Sequence, residues 1–185
     1  MWAVGNDRQV QISEGSQRTQ RPQHDRGASL VEFALILPIL MLILFGAITG
    51  GITLSRHNAV QNAAREASRF GATAPIGTTP AELSTWLNNV ATEVEAAATG
   101  DLADGTQGKS ICVAYVEGGT ATRLNVDQSG TRTESVGRCL TPAQDPRAEA
   151  RVQIVARRQS EIDTIFRSFV VNIEAKSVSR YERAP

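Results

Sequence analysis

The chain has 185 residues, 19 basic and 19 acidic side chains, two histidines and two cysteines, which leaves room for about one domain once any targeting segment is set aside. A formal net charge of zero with no basic stripe argues against direct nucleic-acid binding, which needs Lys and Arg clustered to neutralise phosphates. With only His24, His57 and two cysteines available, neither a four-ligand metal site nor a Ser-His-Asp set is expected, and no cofactor, small-molecule substrate or catalytic residue is assigned.

Residues 1–27 are polar, rich in Gln, Ser, Arg and Asp, and lack a periodic apolar face, so they read as a leader. From Ala28 to Leu54 the only charge is Glu32. A helix over this run, at ~1.5 Å per residue, is about 40 Å long and crosses a hydrocarbon core of roughly 30 Å with some tilt. The run is much longer than the apolar region of an ordinary secretory signal, about 7–15 residues, so 28–54 is read as a transmembrane helix.

Nearby arginines do not fix its orientation, since Arg8, Arg18, Arg21 and Arg26 on one side face Arg56, Arg65 and Arg69 on the other. The long C-terminal region translocates largely regardless of charge, which places the N-terminus in the cytoplasm and residues 72–185 outside. Within the span Pro38 displaces a backbone hydrogen bond. Gly46 and Gly50 form a GxxxG pair, which lets two membrane helices approach closely, although membrane helices are glycine-rich in any case.

Beyond Leu54, Val60, Ala63, Ala64, Ala67 and Phe70 keep helical spacing up to Gly71, so one helix is expected from about 28 to 71. Its second part, 55–71, is an amphipathic stalk whose small-residue stripe suits packing on a sheet. Pro75–Pro80 breaks it, and Thr79, Pro80 and Glu82 stand as N-cap, N1 and N3 of a capping box. Leu83, Trp86, Leu87, Val90 and Val94 carry a second helix over 80–99, ended by Gly100.

The last part of the chain turns to strand patterns at 111–117, 151–157 and 168–179, with a weaker one near 121–126. In the second, Val152, Ile154 and Ala156 alternate with Arg151, Gln153 and Arg157; in the third, Phe169, Val171, Ile173 and Ala175 alternate with Asn172, Glu174 and Lys176, as for one dry and one wet face. The fold class is therefore α+β: a long N-terminal helix, a second helix and a small antiparallel sheet.

Cys112 and Cys139 both follow the apolar run and share one side of the membrane, where an oxidising compartment can join them. Such a bond would contribute roughly 3.5 kcal/mol by chain entropy. Two reduced buried cysteines are the alternative.

The segment 103–110, ending Gly108-Lys109-Ser110, is similar to a phosphate-binding loop with its first glycine replaced. That loop needs a strand before it and a helix after it. Here the expected order is reversed, and a polar turn is the better reading.

The stretch Arg26-Gly27-Ala28-Ser29-Leu30-Val31-Glu32-Phe33 joins a charged leader to the apolar run at a glycine, with a lone Glu five residues on. This spacing matches prepilin processing sites, in which a membrane protease cuts after the glycine and Ala28 becomes the first residue. A carboxylate in a membrane helix costs about 2.5–3.5 kcal/mol at mid-depth and less near an interface. It needs a partner such as a neighbouring subunit's N-terminal amine, or else reaches the headgroups.

This start, together with Gln61-Asn62-Ala63-Ala64-Arg65-Glu66-Ala67 after the span, resembles the TadE-like family, with a looser echo in Ser179-Arg180-Tyr181-Glu182. The resemblance implies a pilin-like minor pilin or pseudopilin of a tight-adherence (Flp, type IVb) pilus. It further implies processing by a prepilin peptidase and work beside other pilin subunits and an inner-membrane platform. Gly27, Ala28, Glu32 and Phe33 carry over individually. A signal-anchored binding or sensor module that keeps its leader, and an anchored ectoenzyme, are the competing classes.

Overall fold

The structure is a computed structural model that describes residues 25–163 and 167–182. The leader up to residue 24 therefore lies outside the described residues. Elements follow the order α1 (Asp25–Thr73), α2 (Pro80–Ala97), β1 (Ser110–Glu117), β2 (Thr120–Val126), β3 (Arg132–Val136), β4 (Arg151–Asp163) and β5 (Ser168–Arg180). The chain divides into two compact units at Leu42/Ile43.

In the first unit the described residues belong to α1 alone, and Leu30, Val31, Phe33, Leu35, Ile36, Ile39 and Leu40 are all exposed. The helix continues through Pro38 without a break. From Ser29 it is long and apolar enough to cross a membrane. An apolar surface of this extent has no place in water and matches a lipid environment.

The second unit is the α+β body expected from the patterning. Its sheet is wholly antiparallel, in the order β3-β2-β1-β4-β5. One face is covered by helix. Val60, Ala63, Ala64 and Ala67 of α1 and Trp86, Leu87, Val90, Ala91 and Val94 of α2 bury against Ile111, Val113, Leu124, Val152, Ile154, Ala156, Ile173 and Ala175. The alanines matter because a Cβ-sized side chain lets the helix backbone lie close to the sheet, while the β-branched strand residues fill the pleat.

Helix α2 starts as its residues dictate. The Thr79 side chain accepts from the Glu82 backbone N–H, and the Glu82 carboxylate accepts from the Thr79 backbone N–H and hydroxyl. Those hydrogen bonds hold Glu82 below the usual carboxylate range.

Four details depart from the expectation. Helix α2 ends at Ala97, and the first left-handed residue after it is Thr99 (φ 48°), ahead of Gly100. Strand β3 was not anticipated, because Arg132–Val136 carries no apolar face; it is held by pairing at the sheet edge and by polar contacts of Arg132 with Asn88, Thr92 and Glu95 of α2. Strand β4 runs on to Asp163, paired with β5 along its length. Finally, Arg151 and Gln153 are buried rather than wet, because the segment after β3 folds back over that face of the sheet.

Candidate functional site at the membrane helix and its seat

Gly27 and Ala28 lie in the first turns of α1. Glu32 and Phe33 follow on the exposed surface of the same helix, Phe33 at 59 % exposure. In the second unit, a Cβ built at Gly46 or Gly50 would meet open space. Both glycines thus present bare backbone to whatever surrounds the span.

The seat that holds α1 on the sheet has a polar tie at each end. At the membrane end the Arg56 guanidinium donates to the Ser160 hydroxyl (3.0 Å) and approaches Asp101 (4.0 Å). Arg158 pairs with the same Asp101 carboxylate and donates to its backbone carbonyl. Higher up, the Ser68 hydroxyl bonds those of Ser177 (2.7 Å) and Ser179 (2.9 Å) on β5.

Past the end of α1 the tail of the chain closes the same seat. Tyr181 accepts from the Ile76 N–H and donates to the Ala74 carbonyl, and the Glu182 N–H donates to the Ala72 carbonyl. Trp86, Tyr115 and Tyr181 stack edge-to-face with centroids 5.9 and 5.5 Å apart, an arrangement that adds specificity to the packing. The terminal Ser179-Arg180-Tyr181-Glu182 motif is therefore a lock on the helix.

On the opposite face of the sheet, Cys112 of β1 is disulfide-bonded to Cys139, with Cα atoms 5.7 Å apart. The bond pins the segment after β3 over Ala114, Val116 and Ala121. A buried ionic cluster anchors the same segment. Arg151 Nε and Gln153 Nε2 both donate to Asp145 Oδ2, and the Leu140 N–H donates to Gln153 Oε1. Burial alone would raise the Asp145 pKa, but the bonds from Gln153 and Arg151 and the charges of Arg151 and Arg147 outweigh it and hold the carboxyl below its usual range.

The phosphate-loop-like segment has a different occupation. Lys109 is buried and gives its ammonium to Glu95 (2.7 Å) and Asp104 (2.5 Å). Burial opposes its charge, but the two carboxylates prevail and its pKa is raised. Strand β1 begins at the next residue, so no helix N-terminus faces the loop and the lysine's charge is already matched. The segment is a polar turn.

Sequence reasoning missed the Arg56–Asp101–Arg158–Ser160 tie, the Ser68 tie and the Asp145 cluster. The first two join residues far apart in the chain, whereas Asp145 lies only 6 and 8 positions from Arg151 and Gln153 but meets them only where the segment after β3 folds back. Only Arg56, the first cation after the apolar run, carried a local signal.

No curated protein and no solved structure matches the chain. Residues 27–69, which span the Gly27-Ala28 junction, Glu32, the apolar run and the alanine-rich face that docks on the sheet, match the family described as TadE-like protein.

Proposed function

We propose that this chain is a minor pilin or pseudopilin of the TadE-like kind, acting in assembly of a Tad (Flp, type IVb) pilus. The observation that carries the reading is the conjunction at the start of α1. A glycine-alanine junction and a lone Glu five residues beyond it open a long exposed apolar helix, and that same stretch matches the TadE-like family. The family match and the apolar helix support association with a Tad pilus and with a membrane.

On this reading a prepilin peptidase cuts between Gly27 and Ala28 on the cytoplasmic side. Glycine weakens a helix by roughly 0.5–1 kcal/mol relative to alanine, so a first turn carrying Gly27 unwinds easily into a protease cleft. Glu32 then lies near the new N-terminus, where a neighbouring subunit's amine can neutralise it.

Residues 55–182 form the extracytoplasmic body. The Cys112–Cys139 bond supports placing them in an oxidising compartment. We take the role to be structural, with pilin subunits and an inner-membrane platform as partners and no catalytic chemistry of its own.

The test is deletion of the chain in its native host followed by electron microscopy of surface pili. Loss of pili, restored by the wild-type chain, is expected. Normal piliation without it would overturn the assembly role.

A further inference from the structure

We propose that Arg56 binds the phosphate of an anionic phospholipid in the leaflet next to the body, with Asp101, Arg158 and Ser160 fixing the position and net charge of the site. The inference rests on reading α1 as a membrane span.

Height comes first. The apolar run ends at Leu54, and Ile52 and Leu54 are 49 % and 60 % exposed. Beyond the hydrocarbon core lies a headgroup layer about 5–7 Å deep on each side. At ~1.5 Å per residue the next four residues, Ser55 to Asn58, cross most of that layer. Arg56 starts about 3 Å beyond Leu54 and so stands among the phosphates.

The surroundings decide what its charge does. The guanidiniums of Arg56 and Arg158 share the Asp101 carboxylate, and among the described residues no other carboxylate is within ion-pair reach of either. The sharing is unequal. Arg158, its side chain 10 % exposed, makes the close pair and donates to the Asp101 and Gln159 carbonyls as well. Arg56 approaches Asp101 only to 4.0 Å and donates to the Ser160 hydroxyl at 3.0 Å, and its side chain is 38 % exposed.

Arg158 thus neutralises Asp101, and most of the N–H donors of Arg56 are left for a ligand. Two cations against one anion leave one positive charge. Glu161 does not cancel it, because it follows Ser160 on β4 and successive strand side chains point to opposite faces.

A guanidinium matches two phosphate oxygens with parallel N–H donors. Inorganic phosphate offers the same oxygens, but a phospholipid holds them at this height. A zwitterionic lipid brings its own ammonium, whereas an anionic one balances the site. The Ser160 bond holds the guanidinium in place, so less side-chain freedom is lost on binding.

The experiment reconstitutes the full chain in phosphatidylcholine vesicles with a bimane label on Ile52→Cys. Residue 52 lies one helical turn below Arg56 on the same side of α1, and the native cysteines are bonded to each other and take no label. Quenching is compared between phosphatidylglycerol and phosphatidylcholine that carry a nitroxide near the glycerol end of an acyl chain. Phosphatidylglycerol is expected to be the stronger quencher by roughly five-fold, the effect of one cation at an anionic surface.

Arg56→Gln should bring that ratio close to one, and it leaves no buried charge stranded because Asp101 keeps Arg158. Arg65→Gln, whose charge stands about 14 Å further out, should not change it. Asp101→Asn should raise it, since the offsetting carboxylate is gone. A tie that is merely structural predicts the opposite, with Asp101→Asn lowering the ratio as Arg56→Gln does. Near-ultraviolet circular dichroism of the Trp86–Tyr115–Tyr181 cluster checks that each variant is folded.

A ratio that Arg56→Gln leaves unchanged, or that Asp101→Asn lowers, would overturn the proposal. Inorganic phosphate added at constant ionic strength should have no effect; loss of the preference would mean a site for free anions and overturn the lipid assignment. Absence of quenching by either lipid would place residue 52 outside the bilayer and remove the span, and the proposal with it.

Discussion

Asp145→Asn is the sharpest test of how the face opposite the helices is held together. Arg151 is 2 % exposed, and among the described residues Asp145 is the one carboxylate within ion-pair reach of it. The substitution leaves a buried guanidinium without a counter-charge and deprives Gln153 of an ionised acceptor. Breaking a buried pair in this way costs about 3–5 kcal/mol. A domain of this size loses roughly 3 °C or more in Tm per kcal/mol, so the midpoint should fall by about 10 °C or more. The assay is thermal unfolding in mild detergent, followed by near-ultraviolet circular dichroism of the Trp86–Tyr115–Tyr181 cluster.

The pH dependence adds a second arm. The folded Asp145 pKa lies below its unfolded value, so its contribution is present above the unfolded value of ~3.9 and is lost as pH falls through the folded pKa. The gap between wild type and Asp145→Asn should therefore be full at neutral pH and close in acid. Asp145→Leu combined with Arg151→Leu should cost less than Asp145→Asn, since no charge is stranded. A neutral-pH Tm for Asp145→Asn within about 2 °C of wild type, well short of the fall expected from about 3–5 kcal/mol, would refute the reasoning.

Four further variants have expected outcomes. Cys112→Ser should lower the stability of the outer body by roughly 3 kcal/mol and make it indifferent to reductant; unchanged unfolding would show the bond to be energetically idle. At Gly71 an added Cβ meets Val90, Trp86 and Val152 at 3.0–3.2 Å, so Gly71→Ala should cost about 1–3 kcal/mol of overpacking against ~1 kcal/mol of helix propensity gained. Gly46→Ala, with open space around it, should leave unfolding of the body unchanged, and the reverse order of effects would contradict the packing described. Glu32→Val should be inserted and cut normally yet fail to support piliation in a deletion strain; pili at wild-type density would remove Glu32 from assembly.

Much of the fold was legible because its elements are amphipathic against one shared core. The stripe Val60, Ala63, Ala64, Ala67 and the series Trp86, Leu87, Val90, Val94 lie buried on the sheet, and period three to four is a direct imprint of a one-sided helix. Strands β1, β4 and β5 announced themselves through β-branched residues. Strand β3 did not, since an edge strand with both faces wet has no period to read. Arg151 and Gln153 misled for a related reason. A polar residue on alternate positions reads as solvent-facing unless the folded-back segment that covers it can be foreseen, and only the cysteine pair hinted at that cover.

The candidate site divides along the same line. Gly27, Ala28, Glu32 and Phe33 are contiguous and belong to a linear motif, so they could be named from the chain. The ties that seat α1, through Arg56, Asp101, Ser160, Ser68 and Ser177, depend on contacts between residues as much as 109 positions apart and follow only from the sheet register.

Whether this chain matures as a prepilin does is read from N-terminal sequencing of the protein extracted from membranes of its native host. A start at Ala28 is expected, with the apolar helix at the new N-terminus. A start at Met1 would contradict it and leave a signal-anchored module.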